Sequence, residues 1–196
     1  MVKTYDADEI DEALLACQEG DNFFLLDYPP KRRMNDVTRL IWDFKENQPQ
    51  AVRLVVEILL PHFRKWSKHL KDRDNCRYVV TIPGHEKGKP NLACEAVAAR
   101  LEECFPGLHH LPGALRRIKT VPKASYAASY EERPKYADHM KSVRYVGPKI
   151  LKGKAMLMLD DVFTTSETSS ACRDILMKSS GCGTVFGLFV GRTNHD

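Results

Sequence analysis

One stretch constrains this chain more than any other: Ala155-Met-Leu-Met-Leu-Asp160-Asp161-Val-Phe-Thr164-Thr165-Ser166-Glu167-Thr168. The apolar run Ala155 to Leu159 follows Gly153 and Lys154. A short unbroken run after a turn signal suits a strand buried on both faces. Ser169 to Lys178 follows, with Ala171, Ile175 and Leu176 at helical spacing. The segment therefore reads as strand, polar loop, helix. Ligands of open parallel sheets gather just beyond the carboxyl ends of the strands. A loop feeding a helix N-terminus offers a phosphate free N–H groups and a favourable dipole. The hydroxyls of Thr164, Thr165, Ser166 and Thr168 add donors. Asp160 and Asp161 do not suit phosphate alone, because carboxylates repel it. They suit a ligand carrying hydroxyls as well as phosphate, and a phosphorylated sugar meets both demands. The bland alternative is a buried strand and a helix capped by Thr168 or a neighbour. That reading leaves two carboxylates at a buried strand end without a reason.

The chain has 196 residues, enough for one α/β domain with a sizeable core. A hydrophobic content of 43% and a charged content of 29% are those of an ordinary soluble protein. The net charge of +4 fits a protein that handles phosphates and is too scattered to argue for nucleic acid. Cys17, Cys76, Cys94, Cys104, Cys172 and Cys182 form no C-x-x-C pair, and no His pair has zinc-finger spacing. Buried free thiols in a reducing compartment are the simple reading. With no apolar signal core and no run of membrane-spanning length, a cytoplasmic location is expected.

In chain order, Asp8 to Glu19 reads as a helix capped by Asp6 or Asp8 and stopped by Gly20. Asn22 to Leu26 reads as a strand, and Asp27 to Arg33 as a loop with a basic tip. Asn35 or Asp36 can cap a helix through Val37, Leu40, Ile41 and Phe44. Ala51 to Leu60 is strongly apolar and helical, with a kink or a second short helix through His69 expected at Pro61. Cys76 to Ile82 is a buried strand, Pro83 to Pro90 a loop, and Asn91 the cap of a helix from Leu92 to Phe105. A glycine-containing basic loop between strand and helix is again an anion-binding arrangement; taken alone it also suits a turn with surface lysines. Pro106 to Gly113 reads as a loop, in which His109 and His110 point apart and serve surface or packing roles. Leu115 to Ser125 carries Arg116, Arg117, Lys119 and Lys123; it suits a solvated loop or a lid that brings cations over a leaving group. Tyr126 to Met140 is polar and tyrosine-rich. Val143 to Val146 is a short strand, and Val185 to Val190 the last one. Strands alternate with helices, which predicts a mainly parallel sheet.

The central stretch resembles the phosphoribosyl-pyrophosphate signature of the type I phosphoribosyltransferases. That signature is four apolar residues, an acidic pair, two residues, Thr-Thr, Gly, any residue, Thr. Met156 to Leu159, Asp160, Asp161, Thr164, Thr165 and Thr168 match it. Ser166 stands where the family usually has Gly, a costly exchange if that position requires φ > 0. Further pieces resemble the ComF group of these proteins: Tyr28 with Leu40-Ile-Trp-Asp-Phe-Lys45, Val80 to Pro83, Gly88 to Asn91, Arg117 to Thr120 with Pro122, and Arg133. The zinc ribbon that often precedes that domain has no counterpart here, and the loop after Pro83 is less basic than the group's.

The resemblance implies a three-layer α/β/α fold with a mainly parallel central sheet plus a small hood, all within one domain over 1–196. Residues 1–27 would be an N-terminal helical or hood extension. It implies phosphoribosyl pyrophosphate as ligand, Mg²⁺ as cofactor, and transfer of the phosphoribosyl group to a nucleobase-like nitrogen acceptor with release of pyrophosphate. Asp160 and Asp161 would hold the ribose hydroxyls directly or through metal-bound water, with Lys119 as a further catalytic cation. Thr164, Thr165, Ser166, Glu167 and Thr168 would hold the 5′-phosphate. Thr81, Pro83, Gly84, His85 and Lys87 would form the pyrophosphate loop, and Arg116, Arg117 and Lys123 the flexible loop. The acceptor and the oligomeric state, a homodimer included, are left open. Two other classes fit less well: a non-catalytic sensor of phosphorylated ribose or nucleotide serving DNA uptake or nucleic-acid metabolism, and a hydrolase using Asp160 as phosphoryl acceptor.

Overall fold

The structure, a computed structural model, describes residues 4–28, 35–74, 76–123, 129, 132–149 and 153–193, with backbone alone at 69 and 71–74. The basic tip expected at Lys31 to Arg33 and much of the tyrosine-rich segment lie outside these residues. The elements are α1 (Ala7–Glu12), β1 (Leu14–Glu19), β2 (Asn22–Tyr28), α2 (Asp36–Lys45), α3 (Pro49–Asp74), β3 (Tyr78–Thr81), α4 (Leu92–Cys104), β4 (His109–His110), β5 (Leu115–Arg117), α5 (Tyr136–Ser142), β6 (Val143–Tyr145), β7 (Ala155–Phe163), α6 (Glu167–Ser180) and β8 (Thr184–Thr193). A six-stranded sheet runs in the order β1-β2-β8-β7-β3-β4 and is parallel except at the β1–β2 edge; β5 and β6 form a separate antiparallel pair.

The central strand β7 shows why the sheet needs two covers. Leu157 and Leu159 pack in one core with Leu40 and Ile41 of α2, Val55 and Leu59 of α3, and Val97 and Leu101 of α4. Met156 and Met158 pack in another with Cys172, Ile175 and Leu176 of α6 and with Leu115 and Val143 of the small hairpin. Side chains alternate across a strand, so an unbroken apolar strand has to be covered on both faces. Each such side chain, fully buried, contributes roughly 1.5–3 kcal/mol. The result is three layers: α2, α3 and α4, then the sheet, then α6 with α5 and the β5–β6 hairpin.

Several expectations are corrected. The helix predicted from Asp8 to Glu19 ends at Glu12 and gives way to β1. Asp6 caps α1 by accepting from the N–H of Asp8 and Glu9. Gly20, at φ 57, then turns the chain into a β1–β2 hairpin with Glu19 opposite Asn22. Residues 14–28 therefore extend the central sheet rather than forming a helical extension outside it. Leu14, Leu15 and Cys17 also satisfy helical spacing, and pairing with β2 decides between the two. The helix α3 runs through Pro61 without a second element. Its buried stripe Ala51, Val55, Leu59, Phe63, Trp66 and Leu70 is continuous, and Pro61 lies on the exposed side, where water can serve the freed carbonyl. His109 and His110, expected in a loop, form the edge strand β4 beside β3. The strand β7 continues past Leu159 through both aspartates to Phe163. Among the described residues, no helix is long and apolar enough to cross a membrane.

One position tests the packing of this sheet. A Cβ on Gly187 of β8 would collide with Asn22 Oδ1 and lie 2.5 Å from Phe189 Cε2. Asn22 Oδ1 also accepts from Arg173 Nη2 of α6 at 2.7 Å. Gly187→Ala should lower stability by about 1–3 kcal/mol through overpacking, read as a lower urea midpoint at unchanged slope.

Candidate functional site

The site follows from the topology. β3 and β7 are parallel neighbours, paired from Tyr78 with Met156 to Thr81 with Leu159. The helix after β3, α4, packs in the first core, and the helix after β7, α6, in the second. Two adjacent parallel strands whose following helices leave toward opposite faces open a crevice at their carboxyl ends. The acidic pair stands at that end of β7.

The two aspartates turn to different surroundings. Asp161 Oδ2 accepts from Asn91 Nδ2 at 3.4 Å, and its Oδ1 lies 3.9 Å from Lys45 Nζ in the last turn of α2 and accepts from Val162 N–H at 2.6 Å. Asn91 also caps α4 by accepting from Cys94 N–H through Oδ1, so one side chain ties the start of α4 to the acid pair. Asp160 Oδ1 accepts from Asp161 N–H at 2.9 Å. Burial, and then repulsion from Asp161, raise the Asp160 carboxyl well above the usual aspartate range; Lys45 and Arg117 oppose this only in part. Burial and the same two carboxylates also raise the thiol of Cys94, which is therefore an inert core thiol.

Beyond β7 the chain enters α6 through Thr164, Thr165 and Ser166. Ser166 is the N-cap, with φ −59 and ψ 1. The position does not use the left-handed region, so serine carries no backbone penalty where the family usually has glycine. Among the described residues, the N–H groups of Thr164, Thr165 and Ser166 donate to no backbone acceptor, and the first N–H groups of a helix have no partner within it. Thr164 and Ser166 are exposed and Thr165 partly so. Glu167 is committed elsewhere: its Oε2 accepts from Tyr136 N–H at 2.6 Å, at the start of α5. Thr168 Oγ1 lies 3.1 Å from His139 Nε2.

The loop after β3 is stitched to the segment after β5. Gly88 N–H donates to Arg117 O, Val121 N–H to His85 O, and Lys87 N–H to Thr120 Oγ1. The two stretches expected to form the pyrophosphate loop and the lid are thus brought together, but their side chains divide. The Thr81 hydroxyl, only 3% exposed, is turned into the core, where it donates to Glu95 Oε1 at 2.6 Å. Glu95 lies 2.7 Å from His110 Nε2 and accepts from Gly113 N–H. Burial acts to raise its carboxyl, but the bonds from His110, Thr81 and Gly113 hold it below the usual range. Arg117, expected on a solvent-facing lid, is also only 3% exposed. Its Nε donates to Gly84 O at 3.0 Å, and its Nη1 to Ser142 Oγ at 2.7 Å. A buried guanidinium held by Gly84 O, Ser142 Oγ and, at 3.2 Å, His139 Nδ1 is a structural anchor rather than a sweeping cation. Arg116 donates to Gly113 O on the surface. Lys87, Lys119 and Lys123 are exposed, and Pro83 is buried beneath the loop. Lys89 is paired with Glu86 at 2.6 Å. Among the described residues the cation in contact with the acid pair is Lys45, not Lys119.

Lys45, Asn91, Glu95 and His139 were not singled out for this site by sequence. Asn91 was visible as a helix cap and at the end of the Gly88–Asn91 piece, and Lys45 only within the Leu40–Lys45 piece. Nothing in the residues around Glu95 or His139 announces a partner, because Thr81 and Thr168 reach them only once the chain has folded.

The donor set can be tested against Mg²⁺. Among the described residues no three His, Cys, Asp or Glu side chains gather to enclose a metal. Asp160 and Asp161 instead leave carboxylate charge that Lys45 offsets only partly. Magnesium binds through one or two carboxylates while keeping waters and taking substrate phosphate oxygens. The pair fits a metal that arrives with its ligand.

No protein-family model and no curated protein sequence matches the chain. Among solved structures it is similar to an adenine phosphoribosyltransferase from Saccharomyces cerevisiae, complexed with an imino-altritol bisphosphate and adenine. That likeness has 15% identity, covers 95% of this chain and 87% of that one, and has a TM-score of 0.49. Adenine phosphoribosyltransferases from Thermoanaerobacter pseudethanolicus (12% identity, 95% and 99% coverage, TM-score 0.45) and Leishmania tarentolae (13%, 88% and 91%, 0.44) are similar to it as well. Likenesses at this level transfer no chemistry, which rests on the residues themselves.

The raised Asp160 pKa sets a stability prediction. The fold holds this proton more tightly than the unfolded chain does. Its stabilising effect is therefore present at acid pH and is lost as pH rises through the native pKa. Asp160→Asn should raise the melting temperature of the ligand-free protein at neutral pH by a few degrees, roughly 1 kcal/mol. The gain over wild type should shrink as the pH is lowered toward the ordinary aspartate range, which a pH series of thermal melts checks.

Proposed function

We propose that this protein binds phosphoribosyl pyrophosphate with Mg²⁺ on a type I phosphoribosyltransferase fold and transfers the phosphoribosyl group to a nucleobase-like nitrogen. The observation that carries this reading is the juxtaposition at one crevice of an acidic pair, an open helix N-terminus lined with hydroxyls, and a second loop on the neighbouring strand. One half of such a ligand is polyhydroxylated and both ends are anionic, so it calls for acceptors between two sets of donors. Asp160 and Asp161 supply acceptors for the ribose hydroxyls. The N–H groups and hydroxyls of Thr164, Thr165, Ser166 and Thr168 supply donors for the 5′-phosphate. The loop from Pro83 to Lys87 supplies donors for the pyrophosphate, with Lys87 exposed on it and Lys119 exposed on the segment hydrogen-bonded to it.

In the reaction the bond between ribose C1 and the pyrophosphate oxygen breaks, the oxygen keeps the electron pair, and the acceptor nitrogen forms the new bond to C1. No protein nucleophile is required. The chain holds the sugar by its hydroxyls and tail, so that C1 faces the acceptor. It places donors where negative charge grows on the leaving group. Bound Mg²⁺ would supply further neutralisation of the pyrophosphate oxygens.

A second reading, binding without turnover in a ComF-like regulatory role, has one observation in its favour. Arg117, expected over the leaving group, is drawn into the core, and in the loop after β3 Lys89 is paired with Glu86. Both readings predict that magnesium and phosphoribosyl pyrophosphate bind in a calorimetric titration, and that Asp160→Asn/Asp161→Asn lowers affinity by tenfold or more. Unchanged binding in that double variant removes both readings. Release of pyrophosphate with some member of a panel of bases selects the enzyme, and binding with no release across the panel selects the sensor.

A further inference from the structure

Three buried polar side chains lie beneath the site: Arg117, His139 and Ser142, exposed by 3%, 5% and 1%. They connect its two halves. Arg117 Nη1 lies 3.2 Å from His139 Nδ1. A guanidinium can only donate, so Nδ1 is the acceptor and the neutral ring carries its proton on Nε2. Burial, and then the charge of Arg117, push the His139 pKa down to about 4, against the opposing pull of Asp138 and Glu167. The ring therefore keeps this tautomer through the neutral range. Nε2–H then donates to Thr168 Oγ1, 3.1 Å away. The Thr168 hydroxyl, already accepting there, has to send its own hydrogen elsewhere.

The other arm of Arg117 acts on the backbone. Its Nε holds Gly84 O at 3.0 Å. In a trans peptide the C=O and the following N–H point in opposite directions, so the His85 N–H is aimed away from Arg117. Ser142 Oγ braces the same guanidinium while donating to Asp138 O at 2.6 Å.

We propose that Arg117 is a positioning residue serving both phosphate cradles, directing the His85 N–H toward the pyrophosphate through Gly84 and the Thr168 hydroxyl toward the 5′-phosphate through His139. This rests on the phosphoribosyl-pyrophosphate reading and adds to it a physical link between the two anion sites. The arginine expected to swing over the ligand instead works from beneath it. A neutral imidazole passes on its orientation without placing a second charge beside Arg117.

Calorimetric titration with ribose 5-phosphate and, separately, with magnesium pyrophosphate tests the link. His139→Leu should weaken ribose 5-phosphate about tenfold, the scale of one hydrogen bond to a charged group, and leave pyrophosphate within about twofold. In a Thr168→Val background His139→Leu should add no further loss, because the hydroxyl it orients is gone. His139→Gln, which keeps a donor and an acceptor, should recover most of the affinity. Arg117→Met should weaken both ligands. Should Arg117→Met not fold, the His139 and Thr168 cycle decides alone. Equal loss of both ligands in His139→Leu, or the same loss with and without the Thr168 hydroxyl, overturns the relay. Wild-type protein that binds neither ligand overturns the underlying functional reading instead.

Discussion

Everything in this molecule answers to one constraint: the central strand β7 is apolar on both faces through Leu159 and yet carries two adjacent carboxylates toward its carboxyl end. Its apolar part demands helices on both sides of the sheet. Its acidic end cannot be covered in the same way, because desolvated carboxylates without partners are too costly. The topology satisfies both demands together. The helix after β3 goes to one face and the helix after β7 to the other, so the carboxyl ends of these two strands stay open while their middles are sealed. The crevice is the place where the layers part.

The polar groups around the crevice divide into those that face it and those that hold it. Asn91 and Lys45 lean on Asp161 from α4 and α2. Glu95 gathers Thr81, Gly113 and His110 under the end of β3. Arg117 gathers Gly84, His139 and Ser142 on the opposite side. Arg117 is a charged group inside a core and Glu95 one that is partly buried, and each is met by several partners. Such networks fix loop geometry before a ligand arrives, so less ordering is left for binding to supply. The unrelieved group is Asp160, whose raised pKa marks stability given up at the open end of the sheet.

Much of this was legible in the chain. The β7–α6 unit, α2 with its Asn35 cap and α4 with its Asn91 cap follow from periodicity and capping chemistry, which are local. The proposed class of ligand was read from the chain too, since the acid pair, the hydroxyls and the helix start are near neighbours in it. The segment from Leu14 to Glu19 was misread because six residues satisfy the helical and the extended pattern alike, and only β2 alongside chooses between them. His109 and His110 make a strand for the same reason, their pairing with Tyr78 and Val79.

Side-chain roles at the site needed the folded chain most. Thr81, Glu167 and Arg117 were expected around the phosphates, and in the structure each side chain is spent on a protein partner: Glu95, Tyr136 N–H, and the Gly84–His139–Ser142 set. Spacing along a chain reports which face of an element a residue occupies, not what another element brings to meet it. The amino-acid sequence by itself determined the doubly buried strand, its acidic end and the helix start beyond it, because these are contacts between near neighbours. The tertiary structure alone decided that the crevice lies between β3 and β7, and that an arginine placed on the lid by its charge sits under the site, because both depend on partners far apart in the chain.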